Sequence, residues 1–457
     1  MARLDSLPFD LLHLIVALVG PHDLYAIALV CHSLNAAATP LLYTQIRCSH
    51  LLAKEWGKIV SPVELLGARP DLLAHVKVLD VRAVPLHKGA PNTQFTHACL
   101  HVVRAAPALA AFAWATAGQH SALLATILRH LADRAARPRL VRLALTDDSL
   151  PSADAPLLPR LGPVESVALH KPSSAAMSAL AQWTCDLSPH LASLSLSANY
   201  GLDPPLLGRI LANTPNLKSL SITNCLRITP EALFSIINAA SLQLESLAFT
   251  ILRDTDGDTL AATFPSLPTL RHITLSIDPP DEPIPDRKSS APTDPLSQRL
   301  FRHIWTTIDS VNLYSLTLRL ASPRTLAPKL LSALITTHGD TLRRLNLFRL
   351  QIPATGVAYI LRRIPNLEQL SVELGGTLDD LDLIIEAMPS AQHLVTLIDT
   401  SPTISPSSVR RSSNAIRSRA LTRVQATQLL QAGPALTNVV SQQRNWVVSG
   451  QIVPWAN

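Results

Sequence analysis

The pattern L-x-x-L-x-L, with aliphatic substitutions, recurs along most of the chain and limits its fold more than any other feature. Five successive copies are 26 or 27 residues apart and begin at Val164, Leu191, Leu217, Leu244 and Leu270. This period lies in the range of repeats built from one strand and one helix, which cannot bury an apolar face alone. Neighbouring copies must therefore stack, and the pattern predicts an α/β repeat solenoid.

Further copies extend the array in both directions. They are LVRLAL from Leu140, LYSLTL from Leu313, LRRLNL from Leu342 and LEQLSV from Leu367. Weaker copies begin at Val76, Leu109, Ala391 and Leu436. Alternate residues of a strand point to the same side, so the fourth and sixth positions face the core together. The third, fifth and seventh positions then face away from the core on the strand side.

The copy from Leu217 is the most diagnostic. It reads LKSLSITNCLRITPEAL, with Cys225 at the ninth position, and Asn199 holds the same position in the preceding copy. This copy resembles the cysteine-containing leucine-rich repeat. The resemblance implies a leucine-rich-repeat horseshoe with parallel strands inside and helices outside. At the ninth position, an Asn or Cys can bond backbone groups where the chain turns off the strand.

Residues 7–46 have a different pattern, which predicts three short helices. Pro8 suits a first helical position, where no backbone donor is missed, and an apolar stripe follows it. Pro21 ends that helix, and Asp23 is expected to cap the second. A third helix over 34–38 is expected to stop near Pro40, and residues 43–46 are predicted as a strand.

This segment resembles an F-box, in particular those of mushroom-forming fungi. The matching residues are Leu7-Pro8, Leu11-Leu12, Ile15, Asp23-Leu24, Leu29-Val30-Cys31 and Pro40-Leu41-Leu42-Tyr43. Many F-boxes carry a Trp after the Val-Cys pair, where this chain has Ser33-Leu34, and Leu34 can fill an apolar pocket instead.

The F-box resemblance implies docking on a Skp-type adaptor and, through it, on a cullin. The residues expected to bind the adaptor are Leu7, Pro8, Leu11, Leu12, Ile15, Leu24, Ile27, Val30 and Leu34. A helical cap over the solenoid is the alternative interpretation of this segment.

The amino-acid composition limits which classes of protein the chain can belong to. Hydrophobic residues make up 47% and charged residues 16%, so a large core is available. The N-terminal apolar run from Leu11 to Val19 is too short for a membrane span and has no signal-peptide flanks. The five cysteines show neither even pairing nor CxxC spacing, which suits the cytosol or nucleus. The net charge of +6 is thinly spread, so neither nucleic acid nor a membrane is expected as a partner.

No motif for catalysis or a cofactor is present. The sequence has no HExxH, GxSxG, Walker loop or GxGxxG, and its histidines form no zinc-spaced cluster with cysteine. Asp254 to Asp258 looks like a calcium loop, but its glycine and its twelfth residue do not fit an EF-hand. We therefore expect a protein that is not an enzyme and has no cofactor.

The strand positions that face away from the core indicate a second binding surface. Most are small or hydroxylated, whereas a few are cationic or aromatic, the residue types that binding hot spots favour. The predicted partner site consists of Arg142, His272, Arg319, Arg344 and Phe348. Small side chains that permit tight curvature are the alternative explanation for the rest of this face.

These patterns divide the chain into five parts. They are an F-box-like segment (1–46), irregular repeats (47–139), the solenoid (140–397, with a loop insertion at 277–299), a polar basic linker (398–423) and a C-terminal cap (424–457). In the cap, a strand around Trp446 is expected to cover the last repeat.

Together the resemblances imply a substrate receptor of a Skp–cullin–F-box ubiquitin ligase, in the cytoplasm, the nucleus or both. The F-box would bind the adaptor, and the repeats would bind an unknown protein target. The alternative is a repeat scaffold for protein interactions that joins no ligase.

Overall fold

The computed structural model describes residues 7–116, 120–133, 140–146, 150–251, 264–277, 311–326, 328–374, 378–401, 421–442, 444–447 and 452–454. The chain separates into two compact units, Met1–Leu217 and Lys218–Asn457. The boundary between the units lies within the region predicted to be repeats.

The first unit begins with three helices, α1 (Phe9–Ala17), α2 (Pro21–Ala28) and α3 (His32–Leu42). They pack around a small core of their own. Its buried members are Leu12, Val16, Leu24, Ala28, Leu34, Ala37 and Ala38. The predicted three-helix segment is therefore present.

Three local predictions about these helices were wrong. Pro8 is the N-cap of α1 rather than its first helical residue. Gly20 is the N-cap of α2, and Asp23 lies in the first turn, where its charge favours the helix dipole. Helix α3 begins earlier than expected and continues through Pro40 to Leu42. Because Pro40 lies in the last turn of α3, few hydrogen bonds follow it.

Strands and further helices complete the first unit. The helices are α4 (His50–Lys54), α5 (Pro62–Ala68), α6 (Pro70–Leu73), α7 (Thr93–Ala105), α8 (Ser121–Ala132), α9 (Leu157–Arg160), α10 (Ser174–Leu187) and α11 (Pro204–Ala212). The strands are β1 (Gln45–Cys48), β2 (Val78–Val81), β3 (Leu86–His87), β4 (Ala90–Pro91), β5 (Ala111–Trp114), β6 (Arg142–Leu145), β7 (Ser166–His170) and β8 (Ser193–Ser197).

Six of these strands pair in parallel in the order β1, β2, β5, β6, β7, β8. The weak copies at Val76 and Leu109 thus form repeats in register with the strong ones. The first strand begins at Gln45, two residues later than predicted, and pairs with β2 from Val78. Strands β3 and β4 form a separate antiparallel hairpin.

The second unit repeats the same alternation. Its helices are α12 (Pro230–Ala239), α13 (Pro328–His338), α14 (Ala354–Arg363), α15 (Leu378–Ala387) and α16 (Arg423–Ala432). Its strands are β9 (Ser219–Thr223), β10 (Ser246–Ile251), β11 (His272–Ile277), β12 (Ser315–Thr325), β13 (Arg344–Gln351), β14 (Gln369–Val372), β15 (Thr396–Asp399), β16 (Asn438–Ser441), β17 (Arg444–Val447) and β18 (Ile452–Pro454).

Strands β9 to β16 pair in parallel in chain order, and β17 and β18 then add in antiparallel fashion. Trp446 on β17 is 2% exposed, so the predicted C-terminal strand with a buried Trp446 is present. The predicted start at Ala391 was wrong by three residues. The copy begins at Leu394, and Leu397 holds its fourth position.

Helix starts in the repeats follow a common local rule. Ser173, Asp203 and Thr229 each accept a hydrogen bond from a backbone N–H in the first turn of the following helix. Two of these helices place Pro204 and Pro230 directly after the cap. Such caps satisfy N–H groups that have no partner within the helix. In these three copies the turn off the strand is therefore followed by a helix with a defined start.

The burial pattern explains why the copies stack. In the copy from Leu217, the first, fourth and sixth side chains (Leu217, Leu220 and Ile222) are 1%, 0% and 3% exposed. A fully buried aliphatic side chain of this size stabilises the fold by about 2 kcal/mol. The third, fifth and seventh residues of the same strand are less buried, as the period of two requires.

The two ninth-position residues behave as the sequence predicts. The amide oxygen of Asn199 accepts hydrogen bonds from the backbone N–H groups of Gly201 (2.8 Å) and Leu202 (3.1 Å). The thiol of Cys225 is buried and donates to the carbonyl of Thr223. These bonds hold the chain where it leaves β8 and β9.

One polar pair interrupts the aliphatic core of the second unit. Asp399 and Ser441 occupy the sixth positions of the last two copies, and both are at most 4% exposed. Asp399 accepts hydrogen bonds from Ser441 Oγ, Ser401 Oγ and the backbone N–H groups of Leu374 and Ser401. A carboxylate with four donors satisfies the requirement that a buried charge be hydrogen-bonded.

The predicted fold class is confirmed in both units as an α/β repeat solenoid of parallel strands and helices. Asp254 to Asp258 and nearly all of the insertion at 277–299 lie outside the described residues. Of the segment predicted as a linker, strand β15 and its turn extend to Ser401, and Thr422 caps α16. Residues 402–420 lie outside the described residues.

Candidate docking surfaces

The outward side of helix α1 is apolar. Leu11, Leu14, Ile15 and Leu18 are 47%, 63%, 38% and 90% exposed. Their spacing of three, one and three residues places them on one helical stripe. Leu12 and Val16 occupy the opposite, buried side. We call the four exposed residues the α1 stripe.

Other large apolar side chains of this segment are also exposed. They are Phe9, next to the stripe in sequence, and Tyr25, Leu29 and Val30 at α2 and the turn after it. Tyr25, Leu29 and Val30 are 66%, 69% and 69% exposed. A soluble protein rarely leaves so many apolar side chains in contact with water unless a partner covers them.

The residues predicted to bind the adaptor differ in their exposure to solvent. Leu12, Leu24 and Leu34 lie in the core of the three helices, so they are not available to a partner. Leu34 therefore fills a pocket of this segment itself, not one of an adaptor. Leu7 and Ile27 are half-buried against the same core. The exposed members of the predicted set are Pro8, Leu11, Ile15 and Val30.

Five exposed apolar residues were not in the predicted adaptor-binding set, namely Phe9, Leu14, Leu18, Tyr25 and Leu29. A signal for two of them was present, because Leu14 and Leu18 complete the helical spacing with Leu11 and Ile15. The competing stripe of Leu12 and Val16 is equally apolar, so hydropathy alone does not show which side of α1 faces inward.

The strand face of the second unit carries the cationic and aromatic residues predicted there. Arg319 on β12 lies beside Phe348 on β13, and its guanidinium carbon is 4.9 Å from the ring centroid. Arg344 is exposed at the other end of β13. His272, two strands away, has its pKa lowered by burial and by the charge of Arg344.

A neutral polar network fills the space between these arginines. The side chain of Asn346 donates to Thr317 Oγ1 (3.1 Å) and accepts from Gln369 Nε2 (3.0 Å) and Ser371 Oγ (2.6 Å). Thr317 and Ser371 are buried. The network ties strands β12, β13 and β14 together on this face.

Glu373 lies on the same side, just after β14. Burial, together with the nearby charge of Asp399, raises the pKa of this carboxyl, while a hydrogen bond with Gln351 opposes the rise. Its negative charge is therefore disfavoured.

Arg142, the predicted partner-site residue of the first unit, is exposed at the start of β6, the third position of its repeat copy. The structure places Arg142 and the four residues of the second unit in separate units. Beside Arg142, strands β6, β7 and β8 form an open depression of about 440 Å³, floored by Ala144 and Ala168. On this depression, His170 Nδ1 is hydrogen-bonded to Ser197 Oγ at 2.8 Å.

Chemistry that would suit a cofactor or a reactive thiol is not evident in the described residues. No group of three or more His, Cys, Asp or Glu there could hold a metal ion. All five cysteines are free, and burial raises the pKa of Cys99 to about 12 and that of Cys48 further still. Thiols so strongly protonated are poor nucleophiles. Among the helices described, none is both long and apolar enough to span a bilayer.

These features define a class of protein. It is a strand–helix repeat protein with a separately packed three-helix segment whose outer face is apolar. Residues 4–49 match the family described as F-box-like, a match that covers the three-helix segment. No curated protein matches the chain.

Two solved structures show a distant likeness to the chain. The crystal structure of the Rad7–Elc1 complex in yeast is 14% identical, covers 80% of this chain and 86% of the other, and has a TM-score of 0.48. The TLR13–ssRNA13 complex is 17% identical, covers 79% of this chain and 44% of the other, and has a TM-score of 0.32. The strand pairing and side-chain burial described above define the fold independently of these likenesses.

Proposed function

We propose that this chain is the substrate receptor of a Skp–cullin–F-box ubiquitin ligase. The observation that carries the proposal is the α1 stripe, which lies in the segment that matches the F-box-like family. The core of the three helices is formed by Leu12, Val16 and their neighbours, and the residues of the α1 stripe are not part of it. An apolar helix face of this kind fits a groove formed by the helices of an adaptor.

In this function the chain would perform no bond chemistry. The F-box-like segment would hold the adaptor and, through it, the cullin, while the repeats would hold a target protein. Ubiquitin transfer by other subunits would then be promoted by proximity, because tethering raises the effective concentration of target lysines. The free, strongly protonated Cys48 and Cys99 are compatible with a reducing compartment, and we propose the cytoplasm, the nucleus or both.

Adaptor capture tests the proposal directly. The full chain, carrying an affinity tag, is mixed with purified Skp adaptor, and the dissociation constant is measured by surface plasmon resonance. Leu14→Glu with Leu18→Glu places two charges on the stripe and should weaken capture by more than tenfold, because each central apolar anchor contributes about 2 kcal/mol. Circular dichroism should be unchanged, since both side chains are already exposed.

A matched control is Val424→Glu, which adds a charge at another exposed apolar side chain, on helix α16. It should leave adaptor binding unchanged. If the folded parent chain does not capture the adaptor, the alternative of a repeat scaffold outside any ligase is favoured. Equal capture by the parent and the double variant would remove the α1 stripe from the interface.

A further inference from the structure

The arginines on the strand faces fall into two groups. Some have a carboxylate partner, whereas others, including Arg142 of the first unit, form no ion pair with a described residue. In the first unit, Arg47 and Arg82 both form ion pairs with Asp80, with Nε to Oδ2 distances of 3.2 and 3.0 Å. In the second unit, Arg319 and Arg344 form no ion pair with any described residue. Two exposed guanidinium groups are thus without an anionic partner among the described residues.

The strand register sets the spacing between these two cations. Arg319 on β12 lies beside Phe348 on β13, and Arg344 lies four residues earlier on β13. Because a strand rises about 3.3 Å per residue, the two positions are about 13 Å apart along the strand direction. An extended chain with anionic side chains at positions i and i+4 has the same spacing, and both side chains point to one side.

Arg319 is held against an aromatic ring, whereas the guanidinium of Arg344 is hydrogen-bonded to no described residue. Arg319 lies over the ring of Phe348, which covers one guanidinium face, while its N–H groups lie in the guanidinium plane and donate to no described residue. By contrast, the neighbouring Arg343 is paired with Glu368 at 2.8 Å and stacks on Tyr314. Arg343 is therefore not part of the unpaired set.

The floor between the cations is neutral. Asn346, at the fifth position of the copy from Leu342, is hydrogen-bonded to Thr317, Gln369 and Ser371. Residue i+2 of an extended occupant would lie over this amide and should be uncharged, since the floor offers it no counter-charge. Glu373, beyond the network, has its own negative charge disfavoured by burial and by Asp399.

We propose that the strand face of β12 and β13 binds an extended segment of a protein partner that carries Asp or Glu at positions i and i+4. Arg344 takes one carboxylate, Arg319 takes the other, and Phe348 contacts an apolar side chain beside the second. One guanidinium at each end matches the single charge of a carboxylate, whereas phosphate groups with nearly two charges are usually held by clustered arginines. Calling this partner the ligase target rests on the proposed function.

Fluorescence anisotropy of the full chain with labelled peptides tests the proposal. The probe is a capped peptide of Ser, Thr and Val with two Glu residues four apart. A second peptide has the same composition with the two Glu residues two apart, and a third has Gln in place of both. The first peptide should bind several-fold more tightly than the other two, and added salt should reduce this difference because exposed charges are screened.

Variants of the chain locate the site. Arg319→Gln and Arg344→Gln should each lower the affinity for the first peptide by about fivefold. The double variant should bind all three peptides with the same affinity. Arg362→Gln on helix α14 makes the same change in net charge away from the strand face and should have no effect. A variant that loses peptide binding together with its circular dichroism spectrum is replaced by Arg→Lys at the same position, which keeps the charge but not the bidentate geometry.

Several outcomes would overturn the inference. They are equal binding of the two Glu spacings, the same loss in Arg362→Gln as in Arg344→Gln, or no binding of any peptide at about 1 mM. Binding of a doubly phosphoserine-substituted peptide more than tenfold above the Glu peptide would assign the face to phosphate instead. Adaptor capture by the same variants is measured separately, so failure of the proposed ligase role and failure of this site are distinguishable.

Discussion

The N-terminal helices and the repeats use the same apolar residue types in opposite ways. Of the eighteen large apolar side chains exposed in the described part of the chain, eight lie within residues 7–42. In the repeats the leucines of the pattern are almost fully buried, and the exposed face carries small, hydroxylated or charged residues. Under the two proposals above, the first segment would offer apolar contact to one partner and the strand face would offer charge to another.

The largest difference in stability is expected when a buried leucine and an exposed leucine are both replaced by alanine. Leu345→Ala, at a fully buried fourth position of β13, should lower the free energy of unfolding by about 2–5 kcal/mol through a cavity in the core. Leu14→Ala, on the exposed stripe, should change it by less than about 0.5 kcal/mol. Urea unfolding followed by circular dichroism measures both, and similar losses at the two sites would contradict the assignment of inside and outside.

The next largest effect on stability is expected at the polar pair of Asp399 and Ser441 in the core of the second unit. Asp399→Ala should cost about 3 kcal/mol of unfolding free energy, because four buried donors lose their acceptor. Asp340→Ala, a change of the same kind at an exposed carboxylate in a turn, should have little effect and serves as the control. Thermal unfolding of the two variants should therefore differ by several degrees. A transition of Asp399→Ala that matches the parent would mean that water replaces the carboxylate.

The smallest effect is expected on the strand face itself. Glu373 has a folded-state pKa above its ordinary value of 4.5, so its contribution to stability is present below pH 4.5 and is lost as the pH rises through the folded-state pKa. Glu373→Gln cannot lose a proton and keeps an oxygen for the hydrogen bond with Gln351. The variant should be more stable than the parent at pH 7, by about 0.5 kcal/mol for a half-exposed group, and equal to it near pH 4.

Unfolding curves of Glu373→Gln and the parent across this pH range provide the measurement. A gain that is the same at both pH values would show that the carboxyl charge is not its cause. Gln351→Ala in the parent background is a useful second variant, because losing the hydrogen bond removes the one influence that lowers the Glu373 pKa. Gln351→Ala should therefore increase the loss of unfolding free energy as the pH rises from 4 to 7.

Much of the fold follows from the repeat pattern, because each strong copy places a strand two residues after its first leucine. Strands β6 to β14 all begin at this position. The pattern failed at Ala391, where Asp399 takes a core position that is apolar in the earlier copies and hides the true start at Leu394. Pairing of a buried acid with Ser441 depends on contacts 42 residues apart, which a local pattern does not contain.

The surfaces were less predictable than the strands. Arg319 and Phe348 hold the same seventh position of neighbouring copies, so the register makes them adjacent and sequence reasoning named both. The α1 helix is apolar on two sides, so its period predicts a helix without showing that Leu12 faces inward and Leu11 outward. That Arg319 and Arg344 form no ion pair within the described part of the chain is likewise a property of their neighbours, which only the structure shows.

The antiparallel strand β17 has a consequence for how such a chain could grow. It occupies the edge of β16 on which a further parallel strand would have to form, and β18 then pairs with β17. A newly duplicated repeat therefore cannot be appended after Ser441 without displacing both strands. Gain or loss of repeats during evolution should be confined to the interior of the array, where each copy offers two equivalent parallel neighbours.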